Sequence, residues 1–284
     1  MTWRVPLKEI ENFYDSKTQA LLHRYGPGPR IHYHAGLFEE QEAIEASPMV
    51  LKQRLVASQE RILQYAAQLW DAPTYLSGEV LDAGCGLGGG SLFWAQEFGA
   101  QVTGVTIASS HIPLINQLAA QAGVASQVYP LVHNVVELPG ENCFDAAVAI
   151  ESSCHMPRAA LFRRLASLVR PGGRIFITDF FFEQPEYEEL WRRHWYAPIG
   201  TYSEYRMAAT EVGFKEIWTE DVSHKTERFW TMTADLIQAE ANQTEQAAAS
   251  LKKVENSLRA HLLTRQGLET GGLRYYLMSF VNRN

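Results

Sequence analysis

The stretch VLDAGCGLGGGSLF, residues 80–93, places five glycines among fourteen residues, directly after one apolar run and directly before another. A backbone so bare of side chains can turn sharply and be approached closely by another group. Gly84, Gly86 and Gly89 also fit G-x-G-x-x-G, the spacing of dinucleotide-binding loops, but that spacing alone selects no ligand. The N–H donors and positive potential of a helix N-terminus suit a carboxylate as well as a phosphate. A dinucleotide site adds an acidic residue for the ribose at the end of the next strand, roughly 20 residues on. Here VTGVTIASSH, residues 102–111, offers Thr106 and no carboxylate, and the acid instead precedes the glycines as Asp82.

Outward from this loop the pattern alternates. VLDAG, QVTGVTI, QVYPLV, DAAVAIE and RIFITDFFF read as strands, with helical stretches between them at 91–98, 109–122 and 159–169. Such alternation specifies an α/β fold with an open, doubly wound, mostly parallel sheet, whose ligands sit outside the carboxyl ends of the strands. Upstream, residues 7–25 read as a helix, GPGPRIHYHAG (26–36) interrupts it, and Ser47-Pro48 opens a second helix reaching about Trp70. Downstream, EYEELWRRHWYAPIG is a helical insert, residues 201–223 resume helix and strand, a long helix is expected over 226–265, and GGLRYYLMSFVNRN is expected as an edge strand. The domain reading is a helical cap over 1–70, a core over 71–183, an insert belonging to the cap over 184–200, and completion of the core over 201–284.

The chain has 284 residues, 46% hydrophobic and 20% charged, with a formal net charge of −7. That balance lacks the basic stripe of a nucleic-acid surface, and no apolar run reaches the roughly 20 residues of a membrane span. The N-terminus carries no secretory pattern, and three scattered cysteines, Cys85, Cys143 and Cys154, suit a reducing compartment, so the expectation is a cytoplasmic protein. Assembly as a homo-oligomer is left open.

With these motifs in view, residues 80–90 resemble motif I of the class I S-adenosylmethionine-dependent methyltransferases, and the resemblance extends over about 79–182. Asn134, ahead of Glu137-Leu138-Pro139, matches the position whose side chain meets the adenine ring, and VRPGGRIFITD resembles the family's turn into the fifth strand. The resemblance implies a Rossmann-like sheet and S-adenosylmethionine as cofactor. It places Gly84, Gly86 and Gly88 against the methionine part, Asp82 at the loop or the methionine amine, and Thr106 and Ile107 at ribose and adenine, with Val135 beside Asn134. His111 stands where the cyclopropane-synthase and sterol-type branch commonly has glutamine.

Glu151 follows DAAVAI at the carboxyl end of a strand, where a carboxylate can take a proton, hold a cation, or cap a helix starting near His155. IESSCHM resembles the Glu-Ser segment of bacterial C-methyltransferases acting on prenyl diphosphates, and FYDSKTQALL with YGPGPRIHYHAG resembles the cap of that branch. The implied reaction adds a methyl group to an alkene carbon of a prenyl diphosphate, with Glu151 and Tyr14 as catalytic candidates. Tyr14, His32, His34, His155, Trp191 and Trp195 are candidates for substrate contact, aromatic faces being suited to a carbocation. An aromatic pair at helical spacing also simply docks an insert onto a core. His224, Lys225, Arg228 and Arg274 are candidates for the diphosphate, and Glu151 with His224 for a Mg²⁺ ion. The alternatives are an N-, O- or C-methyltransferase of another natural product, and a nucleotide-binding module without methyl transfer.

Overall fold

The computed structural model describes residues 5–38, 47–242 and 248–284. Its elements in chain order are α1 (Leu7–Tyr25), α2 (Pro48–Leu69), α3 (Ala72–Tyr75), β1 (Glu79–Ala83), α4 (Gly89–Phe98), β2 (Gln101–Thr106), α5 (His111–Gln121), β3 (Val128–Val132), β4 (Phe144–Ile150), α6 (Arg158–Leu168), β5 (Val169–Phe182), α7 (Pro185–His194), α8 (Tyr202–Glu211), β6 (Phe214–Asp221), α9 (Ser223–Asn242), α10 (Ala248–Thr270) and β7 (Leu273–Asn282).

The seven strands form one sheet in the order β3-β2-β1-β4-β5-β7-β6, parallel from β3 to β5, with β7 antiparallel to both of its neighbours. The inner strands β1, β2, β4, β5 and β7 are largely buried on both faces, as a sheet covered by helices on each side requires, whereas the edge strands β3 and β6 are partly exposed. Val80, Val102, Val148, Phe176 and Phe180 point to one core, and Leu81, Val105, Ala147, Ile175 and Phe181 to the other. That alternation is the two-residue period of a strand. The first core also receives α1, α2, α9 and α10, so the amino-terminal helices share their apolar faces with the sheet.

Two expectations are corrected. The carboxyl-terminal strand β7 is an interior strand, since β6 lies outside it and forms the edge. The long helix expected over 226–265 is described as α9 and α10, which pack on one another, and residues 243–247, over which it was expected to continue, lie outside the described residues.

Strand order reverses between β1 and β4, so their carboxyl ends open the crevice in which such sheets take ligands. Residues 26–38, which follow α1, cover that crevice, with Ile31, His32, Tyr33 and His34 lining it. Gln59 of α2 donates from Nε2 to the carbonyls of His32 (3.3 Å) and His34 (2.8 Å), and Leu37 N donates to Ser58 O. The strap passes so near α4 that a Cβ on Gly89 would press on the Ile31 carbonyl and stand 2.7 Å from His32 Nδ1. Gly89→Ala should therefore lower stability by about 1–3 kcal/mol, the usual cost of overpacking, read as a fall in thermal midpoint. An unchanged midpoint would mean that the strap gives way freely.

Candidate active site

Four of the loop's glycine positions do different work. Gly84 has φ +89°, and a Cβ there would meet the Ser152 Cβ at 2.5 Å, so its bareness lets the β1 and β4 turns touch. Gly88, with φ +83°, abuts Ile115 of α5, and a Cβ at Gly90 would stand 3.4 Å from Asp82 Oδ2. Gly86, at φ +55°, has nothing within 4 Å of where its Cβ would stand, and it lines an open cleft of about 1050 Å³. Gly86 is thus the glycine free to receive a ligand, whereas Gly88, expected beside it, does not line the cleft and serves helix packing.

Asp82, Gly84, Gly86, Thr106, Ile107, His111, Asn134, Val135 and Glu151 line this first cleft together. Asp82 is buried and accepts from Ser91 Oγ at 2.6 Å. Burial pushes its carboxyl up to about 6, with the Ser91 bonds only partly offsetting it and no cationic side chain among the causes. A buried acid lacking a counter-charge suits an ammonium ligand. Asn134 accepts from Val136 N through Oδ1 at 3.3 Å, which leaves its amino group to face a ligand. His111 is engaged at both ring nitrogens, with Gly86 O (3.0 Å) and Thr18 Oγ1 (3.1 Å), and so ties the glycine loop to α1.

Glu151 sits where β4 ends. It holds φ +47°, a left-handed conformation that costs a non-glycine residue about 1–2 kcal/mol, and such strain clusters at functional sites. Its Oε1 accepts from Ala35 N at 2.6 Å and from Tyr275 Oη at 2.7 Å. No hydrogen bond to Oε2 forms among the described residues. Burial pushes the carboxyl up to about 8, the Tyr275 and Ala35 bonds drawing it partly back. The loop that follows is held by Asp179, which accepts from Ser153 Oγ (2.5 Å) and Cys154 N (2.8 Å).

His155 joins this centre to α1. Its Nδ1 faces the Tyr196 carbonyl at 3.1 Å, and a carbonyl only accepts, so Nδ1 carries the proton and Nε2 accepts from Tyr14 Oη at 2.8 Å. Burial pulls His155 down to about 4, keeping it neutral.

A second cavity of about 1150 Å³ adjoins the first, and Tyr14, Leu21, Tyr33, His34, Glu151 and His155 line both. Its wall is aromatic. Trp191 and Trp195 stack at 4.7 Å between centroids, Trp195 meets Trp230 at 5.5 Å, and Tyr14 meets Tyr33 at 6.2 Å. Glu151 is the sole carboxylate of the lining, and burial lowers His34 to about 3, so that side chain is neutral.

The structure separates His224, Lys225, Arg228 and Arg274 from both cavities. His224 is exposed and lines neither cavity. Arg274 pairs with Asp221 at 3.2 Å on the outer part of the sheet, and Lys225 reaches Tyr65 and Glu220. Arg228 lines neither cavity. His32 and His34 do share a face, at 4.9 Å between ring centroids, but His32 Nε2 bonds Glu60 and His34 Nδ1 bonds the Ala35 carbonyl. Among the described residues no group of three metal-ligating side chains exists, and His224, expected to share a Mg²⁺ ion with Glu151, lines neither of the cavities that Glu151 lines. Tyr33, Trp230 and Tyr275 are in the site without having been expected. The YY of the last strand was visible, but an edge assignment hid Tyr275.

A family profile described as a methyltransferase domain matches residues 80–173. The chloroplastic tocopherol O-methyltransferase of Arabidopsis thaliana is 30% identical over 175 residues, covering 61% of this chain and 49% of that protein. An O-methyltransferase of Aspergillus nomiae is 32% identical over 150 residues, covering 50% of this chain and 67% of that protein. The chain thus spans about half to two thirds of the length of these relatives. A geranyl diphosphate methyltransferase, solved with GPP and sinefungin, superimposes with a TM-score of 0.81 at 20% identity, over 98% of this chain and 99% of that one, a likeness of fold. No helix among the described residues is long and apolar enough to cross a membrane.

The Glu151 carboxyl makes a measurable prediction without any substrate. It keeps its proton up to about pH 8 when folded and releases it near 4.5 when unfolded. Between these values the folded state binds more protons, so this contribution to stability is full at low pH and declines as pH rises. Glu151→Gln cannot ionise and escapes the decline. Its stability relative to the parent should rise between pH 5 and 8 by at most about 1.4 kcal/mol per pH unit, read by urea unfolding. A flat difference would place the carboxyl in water.

Proposed function

Because the chain belongs to the class I S-adenosylmethionine-dependent methyltransferases, we propose that it methylates an alkene carbon of a prenyl diphosphate and then removes a proton from the product cation. The observation that carries this reading is the aromatic chamber that meets the cofactor cleft at Glu151.

S-adenosylmethionine, when bound, supplies a methyl group on a sulfonium leaving group that needs no further activation. The first cleft fits it: the Asp82 carboxyl would hold the ammonium, Gly86 would admit the methionine part, and Ile107 and Asn134 would border adenine. This chain's remaining task is to position an acceptor and manage charge. Attack by an alkene leaves a carbocation, which a free nucleophilic lone pair such as that of an unprotonated amine would trap. The wall supplies ring faces instead, each worth about 0.5–2 kcal/mol to a cation. The neutral state of His34 and His155 spares that cation two like charges. Glu151 Oε2, unbonded among the described residues, takes the proton, and Tyr275 and Ala35 fix the carboxyl through Oε1 while it does so. A positive ligand beside this carboxyl draws it back toward its ionised form, so the base is charged when a cation is present.

A second reading, methyl transfer to a phenol hydroxyl, is favoured by the identity with tocopherol O-methyltransferase; there Glu151 would take the hydroxyl proton. Mass spectrometry of products, after incubation with labelled cofactor and a panel of prenyl diphosphates and phenols, separates the two. Label on a prenyl diphosphate carbon is expected, and label on phenols alone would move the conclusion to the second reading. Glu151→Gln should lower kcat by about 10²–10⁴ while S-adenosylhomocysteine still binds, and full turnover would remove Glu151 as base. Trp195→Ala should lower kcat while leaving cofactor affinity unchanged, since its ring lines only the second cavity.

A further inference from the structure

One face of α1 runs along the second cavity. Tyr14, Lys17, Leu21 and Arg24 all line it at spacings of three, four and three, a helical stripe about 15 Å long. Tyr14 marks its reacting end, beside His155 and Glu151, and from Lys17 onward the stripe is cationic. Lys253 of α10 lines the same cavity. Resting on the prenyl diphosphate reading, we propose that Lys17, Arg24 and Lys253 form the anion seat of the acceptor, holding its diphosphate directly rather than through a metal held by carboxylates.

Charge and hydrogen-bond capacity both lead there. Lys17 and Lys253 make no salt bridge among the described residues; Lys17 has only the Phe13 ring, 5.5 Å from Nζ. Burial, then the charges of Arg24 and Lys253, pull the Lys17 ammonium downward, and no acid is among the causes. Arg24 spends one nitrogen, Nη2, on Glu240 at 2.7 Å, while its buried Nε has no partner among the described residues. Trp191 and Trp230, in the same wall, bury indole N–H donors that are likewise unpartnered. The unpaired groups at this end are therefore cations and donors, which call for a ligand rich in acceptor oxygens. His194 and His261 also line the cavity, and burial holds them at about 4 and about 3, so they add no charge to the seat. Glu151, the lining's one carboxylate, belongs to the reacting end. No trio of ligating side chains exists among the described residues, and Glu151 is the one carboxylate that this cavity offers a metal.

The test uses the full chain with S-adenosylhomocysteine bound and inorganic diphosphate as the probe, by calorimetry in EDTA. Diphosphate should bind without metal, and Lys17→Ala with Lys253→Ala should weaken it at least tenfold while leaving S-adenosylhomocysteine affinity unchanged. Lys17→Arg, which keeps the charge, should recover most of it. Equal binding by parent and variants, or binding that appears only when Mg²⁺ is added, overturns the seat. With prenyl diphosphates the double variant should raise KM far more than it lowers kcat. Methyl transfer to a prenyl diphosphate with an unchanged KM would leave the acceptor reading standing and remove the seat. Lysine-dependent diphosphate binding without transfer to any prenyl diphosphate would do the reverse.

Discussion

Everything in this site turns on one carboxyl. Glu151 Oε1 is gripped by the amide of Ala35 in the strap and by the hydroxyl of Tyr275 in the seventh strand. Three parts of the chain far apart in sequence therefore meet at a single oxygen. The left-handed backbone at Glu151 would not persist without such overdetermination, because an unsupported residue would relax into ordinary strand geometry. The same grip explains why the strap must lie flat on the glycine loop. If Ala35 lifted, a buried acceptor would lose its donor, at a typical cost of about 1–3 kcal/mol.

Support for this carboxyl is layered rather than local. Asp179, one strand over, is itself fully buried and holds Ser153 and Cys154 in the loop that follows Glu151. Ser152 Oγ donates to the Ala83 carbonyl at 2.5 Å, fastening that loop to the end of β1. Gly84 must then be bare, since any Cβ there would collide with Ser152. The glycine loop is as much a consequence of this loop-to-loop contact as of the ligand, which is why a glycine count alone said so little about what binds.

Legibility in the sequence followed range. Period-two apolar runs and glycine turns are local signals, and they were sufficient for the sheet's first five strands, for α1, and for Asp82, Asn134 and Glu151 at strand ends. Pairing is not local. A strand such as LRYYLMSFVN reads the same at an edge or in the interior, and its place between β5 and β6 becomes visible only when both neighbours are known. Tyr275 was missed for that reason. His224 and Arg274 were misplaced for a related one: a charged residue near the end of an element carries no mark of which side of the sheet it will face.

The two cavities are charged in opposite senses, and this decides how their ligands can meet. The first buries an acid, Asp82, with no cationic side chain among the causes of its shift, and the second gathers Lys17, Arg24 and Lys253, of which only Arg24 has an acid partner among the described residues. Each imbalance is costly in a low-dielectric interior until a ligand of opposite sign arrives. A ligand bearing an ammonium settles the first, and one bearing an anionic head settles the second. On the prenyl diphosphate reading, the two ligands would meet at Glu151, which lines both cavities, and the aromatic wall of the second would lie between the anionic head and the carbon that accepts the methyl group.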